Sequence, residues 1–474
     1  MNMHFATRNI LFAWLVFSLS NSGCVLLPES PRNDLPPALL VEKSTAPTAQ
    51  SSPLAGQPSI NAASPEETGA PGKTPAFLNL KQLTPEELVR EVLNRNPTLA
   101  AMTAATEAAK ARFPQVISLD DPNLAAWMAP GSFGSNQVNP ALRFEFSQKI
   151  PARGKRQLRG EMAQAEAGIA EQELESAKLE LIEESRYAFL DLYLVERNIE
   201  VNDETLKLLN DFRQNAETRY RNGQAPQQDV LQAEVEIGLL KEKAIINYRV
   251  RKVARARINT LLHLEPDLPL PAPLKELEFS KESRSSGSLR QEAGNQRPDL
   301  KGLKEKIRLD EAALQLARRE FSPDYETMAA YDSFWQGMDK QLQFQLGVKL
   351  NLPARRDRRF AAVSEAQYRL AQKKAEFNLL EDKINFQVQE AYEQIMESEQ
   401  ILNLFKTVTL PAASANVREA QATYINGKIP FLTLIAAQKE QTMARERYFL
   451  SQAEALRRKA ALSRVIAASA AQLP

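Results

Sequence analysis

Residues 342–352 read Leu342-Gln343-Phe344-Gln345-Leu346-Gly347-Val348-Lys349-Leu350-Asn351-Leu352. Apolar side chains fall on every even number, and polar residues or glycine on every odd one, over eleven residues. Successive side chains of a strand point to opposite faces, so this is a strand with one apolar and one polar face. Its length is about that needed to cross a bilayer as a tilted strand. Leu142 to Ile150 reads the same way. Leu142, Phe144, Phe146 and Ile150 fall on one side, and Arg143, Glu145, Ser147 and Lys149 on the other. Candidate partner strands near 123–130 and 325–333 alternate poorly. The tips Gly131-Ser132-Phe133-Gly134 and Trp335-Gln336-Gly337 suit loops.

Lipid outside and water inside satisfies both faces of such a strand. One chain offers four strand candidates, whereas the smallest bacterial outer-membrane barrels use about eight, and hydrocarbon does not tolerate an open edge. Strands of several chains must therefore close the barrel, and three chains supply about twelve. The alternative is a soluble sandwich with the apolar face covered by helices, but nothing else in the chain provides a matching second sheet.

The strands belong to a tandem repeat. Pro97-Thr98-Leu99 matches Pro298-Asp299-Leu300 at an offset of 201, and Asp121-Pro122-Asn123-Leu124 faces Ser322-Pro323-Asp324-Tyr325 at the same offset. Pro151-Ala152-Arg153 with Arg156 matches Pro353-Ala354-Arg355 with Arg358 at 202. Tyr220-Arg221-Asn222-Gly223 with Pro226 matches Tyr424-Ile425-Asn426-Gly427 with Pro430 at 204. The boundaries are 79–280 for the first repeat and 281–474 for the second. Each repeat begins with a helix, about 85–113 and 285–320, before its two strands. Long helices follow at about 155–219 and 227–264, then at 356–422 and 431–468. Ala188, Leu192, Val195 and Ile199 form a narrow coiled-coil seam, as do Ile384, Val388, Ala391 and Ile395. A helix of about 65 residues is on the order of 100 Å long and must lie against other rods. The expected fold is mainly α with a membrane β-barrel.

The first 23 residues read as a signal peptide: Arg8, then an apolar run from Ile10 to Leu19 too short to span a bilayer. The only cysteine, Cys24, follows Ser22-Gly23 and resembles a bacterial lipoprotein processing site, where the thiol is acylated; Asn21 departs from the apolar residue usual there. A plain secretory signal with an incidental cysteine is the other reading. Residues 24–78 are a linker rich in Pro, Ser, Ala, Thr and Gly, without a core of its own. The chain has 474 residues and a net charge of +1, which gives no reason to invoke nucleic acid. With Cys24 the only cysteine an intrachain disulfide is impossible, and with His4 and His263 the only histidines a His/Cys metal site is not expected. No nucleophile–base set and no glycine-rich phosphate loop point to an enzyme or a cofactor.

Basic clusters follow the good strand in each repeat: Arg153, Lys155, Arg156 and Arg159, then Arg355, Arg356, Arg358 and Arg359. Positive charge at a helix N-terminus opposes the macrodipole, so contact with headgroups at the membrane boundary is the expectation, against an ordinary solvated face. Asn222-Gly223 and Asn426-Gly427 suit helix ends, and Pro226 and Pro430 suit the first turn of the next helix.

The Tyr-x-x-Gly hairpin occurring twice, the Gln148-Lys-Ile-Pro-Ala-Arg-Gly-Lys-Arg156 strand exit and the Asn96-Pro-x-Leu99 start resemble the TolC family of outer-membrane efflux proteins over residues 80–470. The resemblance implies a homotrimer: a twelve-stranded β-barrel, four strands from each chain, continuous with a twelve-helix α-barrel. It implies an exit duct in a tripartite efflux system. The hairpins at Gly223 and Gly427 would close the periplasmic end and meet a periplasmic adaptor, linked to an inner-membrane pump of the resistance-nodulation-division type. Asp229 and Tyr424 match a pair whose hydrogen bond helps keep that end closed; a capping Asp229 and a merely packed Tyr424 are the alternative. Thr433 and Ala436 stand where well-known members carry acidic residues, so an acidic ring from that source is absent. The strand-exit wording is similar to the branch paired with heavy-metal efflux pumps. A lipid-anchored coiled-coil adaptor or scaffold without a pore is the rival reading, and two tandem hairpins with membrane-length strands weigh against it.

Overall fold

The computed structural model describes residues 81–336 and 343–468. The signal peptide, the linker with Cys24, Gly337 and Leu342 lie outside the described residues.

The first repeat opens with β1 (Gln82–Leu83), α1 (Pro85–Arg95) and α2 (Pro97–Ile117). The single helix expected over 85–113 is two helices, and the cause is Pro97. It disfavours helical backbone at Asn96, which sits at φ −66°, ψ 122°. Arg297 before Pro298 does the same at φ −59°, ψ 126°, dividing α5 (Ser286–Gln296) from α6 (Pro298–Arg319). Each break is tied to the far end of its own repeat. Asn96 Nδ2 donates to the Leu261 carbonyl (3.0 Å) and an Arg297 guanidinium nitrogen to that of Val465 (3.4 Å).

The strands are β2 (Asn123–Met128), β3 (Leu142–Ile150), β5 (Tyr325–Asp332) and β6 (Phe344–Leu350); a short β4 (Ala272–Pro273) pairs with β1 instead. They form one antiparallel sheet in the order β2-β3-β5-β6. The register aligns Leu124, Phe146, Ala329 and Leu346 in one row and Ala126, Phe144, Tyr331 and Phe344 in another. This face is apolar and open, with Leu346 78% exposed. The opposite face is ion-paired: Arg143 bonds Glu145 (2.6 Å) and lies 3.6 Å from Asp332, and Glu326 accepts from Ser147 (2.8 Å) and meets Lys349 (3.6 Å).

The weak alternation of the partner strands now has a cause. Trp127 and Met328 are apolar residues on the polar face. Arg143 lies over the Trp127 ring at 5.3 Å, and Met328 fills the space left by Gly347, where a Cβ would come within 2.8 Å of the Met328 Cγ.

Helices α3 (Lys155–Arg221) and α4 (Gln227–Leu261) follow β3; α7 (Arg356–Leu404), α8 (Leu410–Ile425) and α9 (Phe431–Val465) follow β6. With 67 residues, α3 is about 100 Å long. The helix expected as continuous over 356–422 is interrupted by a π turn at Phe405–Thr409. Pro411 has no N–H for the Thr407 carbonyl, and the i−5 bond from Leu410 to Phe405 replaces the regular pattern. Near the sheet, α3 packs against α2 and α6, and α6 against α7; further away, α3 packs against α4 and α9, and α9 against α8.

Three apolar clusters hold this arrangement. Leu88, Val92, Leu181, Ala188, Ile258 and Leu262 belong to the first. Their repeat equivalents Leu289, Ala293, Ile384, Ala391, Leu462 and Ile466 belong to another. A third, at the hairpins, draws on both repeats through Leu209, Phe212, Ala233, Tyr424, Phe431 and Leu434. Both expected seams are buried apart from the half-buried Ile199.

Candidate functional site

Both hairpins end their first helix in the same way. Gly223 and Gly427 have φ of 69° and 71°, the left-handed region where a side chain costs energy. Gly223 N–H donates to the Tyr220 carbonyl (2.9 Å) and Gln224 N–H to that of Arg219 (2.8 Å); Gly427 and Lys428 repeat this with Tyr424 (2.9 Å) and Thr423 (3.0 Å). These paired bonds satisfy carbonyls that the helix end would leave free. Asn222 and Asn426 are the C-cap residues. Pro226 and Pro430 occupy the N-cap, one position before the first turn expected for them, and their carbonyls accept from Asp229 N–H (3.2 Å) and Thr433 N–H (3.1 Å).

The two hairpins meet at Tyr424, which is 4% exposed. Its hydroxyl donates to Asp229 Oδ2 at 3.2 Å, and its ring packs on Phe431 with centroids 5.2 Å apart. Burial, then the neighbouring Asp229 carboxylate, pushes the phenol pKa up to about 12, with Arg219 opposing. Asp229 lies in the first turn of α4, where the helix dipole favours a carboxylate. The carboxylate makes no capping hydrogen bond to α4; the bond it does make is the one from the Tyr424 hydroxyl. Thr433 and Ala436 are exposed on α9.

Arg219 was missed in the sequence. It lies in the last turn of α3, where a basic residue reads as support for its own helix end. Instead it crosses to the other hairpin. Nη1 donates to the Tyr424 and Ile425 carbonyls (2.5 and 2.9 Å), and the guanidinium sits 4.9 Å from the Tyr424 ring centroid. The Gly427 Cβ position is 3.4 Å from its Nη2, so the glycine leaves room for it. A tyrosine six residues before a turn proline does not reveal that an arginine 205 positions away reaches its carbonyl.

The basic clusters divide. Lys155 is corrected: it is 1% exposed and held by Glu320 (3.1 Å) and Asp324 (3.0 Å), so it does not face headgroups. Burial would raise the Asp324 pKa, but the Ala152 N–H and the Lys155 ammonium outweigh it and hold that carboxyl below its ordinary value. Arg156 donates to the Ile117 carbonyl (3.1 Å), and Arg359, 203 residues on, to that of Glu320 (2.8 Å). Each closes the C-terminus of the helix before the strands. Arg153, Arg355, Arg356 and Arg358 are exposed. Among the described residues there is no group of His, Cys, Asp and Glu placed to hold a metal ion, and no helix long and apolar enough to cross a membrane.

Residues 88–262 match the family model described as outer membrane efflux protein. No curated protein matches the chain significantly. Solved structures share the fold. VceC from Vibrio cholerae is 18% identical with a TM-score of 0.66, over 81% of this chain and 95% of that one. CusC is 14% identical with a TM-score of 0.69, over 83% and 96%. The open-state MtrE outer membrane channel of Neisseria gonorrhoeae is 17% identical with a TM-score of 0.67, over 87% and 97%.

Proposed function

We propose that this chain, which belongs to the outer membrane efflux protein family, is one subunit of a trimeric exit duct that carries substrates of a tripartite efflux system across the outer membrane. The observation that carries the reading is the sheet. One face is apolar and exposed, the other is charged and ion-paired, and β2 and β6 each have one edge without a partner among the described residues. Lipid suits the first face and water the second, and strands of neighbouring copies satisfy the edges. The helices repeat the pattern. Leu231, Val235, Leu239, Ile246 and Val253 are exposed along α4, and Leu379, Phe386, Leu404 and Val408 along α7 and the π turn. Packing the α4 edge of one copy against the α7–α8 edge of the next buries both and closes a ring.

Arg153, Arg355, Arg356 and Arg358, with exposed Leu352 and Phe360 beside them, suit the headgroup boundary at the end of the barrel. Acylation of Cys24 would anchor the chain to the same membrane. The hairpins at Gly223 and Gly427 form the periplasmic end, which meets an adaptor and through it an inner-membrane pump. The Asp229–Tyr424 bond helps keep that end closed. The test is conductance of the purified protein in planar bilayers. Wild type should form channels, and Asp229→Ala should raise their conductance. Asp229→Ala protein that inserts without conducting removes the duct reading; conductance in Asp229→Ala unchanged from wild type removes Asp229 from the gate.

A further inference from the structure

Away from the hairpins, a cavity of about 260 Å³ opens between the start of α1, the middle of α3, the end of α9 and the segment after β4. Its walls are largely apolar, with Phe189, Leu190, Leu274, Leu277, Leu456 and Ala460. Two cations share the lining, Arg186 of α3 and Lys459 of α9, and both are half-buried. Among the described residues neither has an ion pair. Lys459 Nζ donates to the Ser280 hydroxyl, and Arg186 donates no side-chain hydrogen bond.

Burial pulls the Arg186 guanidinium below its ordinary pKa, with only the Glu86 carboxylate opposing. It does the same to the Lys459 ammonium, where Glu282 opposes while Arg186 and Arg284 add to the effect. Glu282 is already taken, because Arg284 Nε and Nη2 hold its two oxygens at 2.9 and 3.0 Å. Glu276 and Glu278 stand exposed at the mouth and act on neither cation. The interior of the cavity is therefore left with an excess of positive charge. Holding two cations together in apolar surroundings is unfavourable until an anion joins them.

The repeat itself does not demand this arrangement. The offset is 203 between α3 and α7, as in Ala188 and Ala391, and 204 between α4 and α9, as in Ile258 and Leu462. The equivalents of Arg186 and Lys459 are thus Gln389 and Arg255. One of these is neutral and bonds Glu393 (2.7 Å); the other meets Glu196 (3.1 Å).

We propose that this cavity binds a compact amphipathic monoanion, a carboxylate on a small apolar body, with Arg186 and Lys459 taking the carboxylate and Phe189, Leu190 and Leu456 the body. The planar guanidinium matches the two carboxylate oxygens, and the ammonium adds a point charge. Glu276 and Glu278 at the mouth repel a second negative charge on the ligand. The bound anion joins α3 of the first repeat to α9 of the second. The site lies within one chain and does not depend on the duct reading.

The full protein in phosphatidylcholine nanodiscs tests this, with empty nanodiscs as blank. The probe is para-trifluoromethylbenzoate, followed by fluorine NMR, beside the neutral para-trifluoromethylbenzyl alcohol and the dianion trifluoromethylterephthalate. Wild type should bind the monoanion at least tenfold more tightly than either. Arg186→Met and Lys459→Met keep the apolar stems and should each weaken it about tenfold. Glu86→Gln removes the one opposing carboxylate and should tighten it. Without probe, both Met variants should resist heat as well as wild type or better, since no ion pair is lost; with probe, only wild type should gain. Absence of binding, equal binding of the alcohol or the dianion, or unchanged affinity in the Met variants overturns the site. So does weaker binding in Glu86→Gln. A Met variant less heat-resistant than wild type without probe also overturns it, because the cations would then already be balanced within the chain.

Discussion

Removing Lys155 should cost less than removing its partners, and restoring the balance should recover stability. The ammonium is 1% exposed, whereas the Glu320 and Asp324 side chains are 45% and 37% exposed. In Lys155→Met the stem keeps its packing. Both carboxylates can turn to water, and Asp324 retains the Ala152 N–H at 2.7 Å. The net loss of two charge-assisted bonds, offset by no longer burying a charge, is about 1–2 kcal/mol. In E320A/D324A the ammonium stays buried with no partner and the Ala152 N–H loses its acceptor. That costs about 3–5 kcal/mol. Adding Lys155→Met to E320A/D324A removes the stranded charge and should regain about 2 kcal/mol. Urea unfolding of the detergent-solubilised protein, followed by far-ultraviolet circular dichroism, orders the variants. A triple variant no more stable than the double, or a single Lys155→Met as damaging as the double, would refute the reasoning.

Three further outcomes follow from the same geometry. Arg219→Ala frees the Tyr424 and Ile425 carbonyls and should cost the closed tip about 1–2 kcal/mol, read as increased opening in bilayers, while Arg219→Lys, without the planar fork, recovers only part of it. The neutral Tyr424 phenol is the donor and its pKa is raised, so the Asp229 contact is complete below pH 10 and is lost as the pH rises through about 12. Opening should therefore increase across that window in wild type, and Tyr424→Phe should lack this step. Gly347→Val presses into Met328 and should destabilise the barrel by about 1–3 kcal/mol, with Met328→Ala relieving the clash in the double variant; heat resistance of the assembled protein reports both.

The strand at 142–150, and β6 at Phe344–Leu350 within the expected 342–352, were legible because each sorts its own apolar and polar residues with period two. Their partners were not, because Trp127 and Met328 owe their places to Arg143 and Gly347 on neighbouring strands. The tandem offset was visible, and it reaches further than the motifs did: the apolar clusters, the Pro97 and Pro298 breaks and the Arg156 and Arg359 caps all repeat with it. Missing that Pro97 and Pro298 stop one helix and start another came from reading the apolar pattern across a residue that forbids continuity. At the tips, Gly223 and Gly427 announced helix ends, since only their backbone freedom suits the turn. Arg219 could not be found this way, because its partners are main-chain carbonyls that no residue type marks. Lys155 was misread for a related reason. A basic run looks uniform in sequence, and only the fold sends one member inward to Glu320 and Asp324 while Arg153 stays outside.

The central claim is that strands of several copies close one barrel. The mass of the protein extracted from outer membranes in mild detergent, corrected for bound detergent, tests it most directly. The account predicts a trimer, about three times the chain mass. A monomer would contradict it, because four strands with two open edges cannot stand alone in lipid.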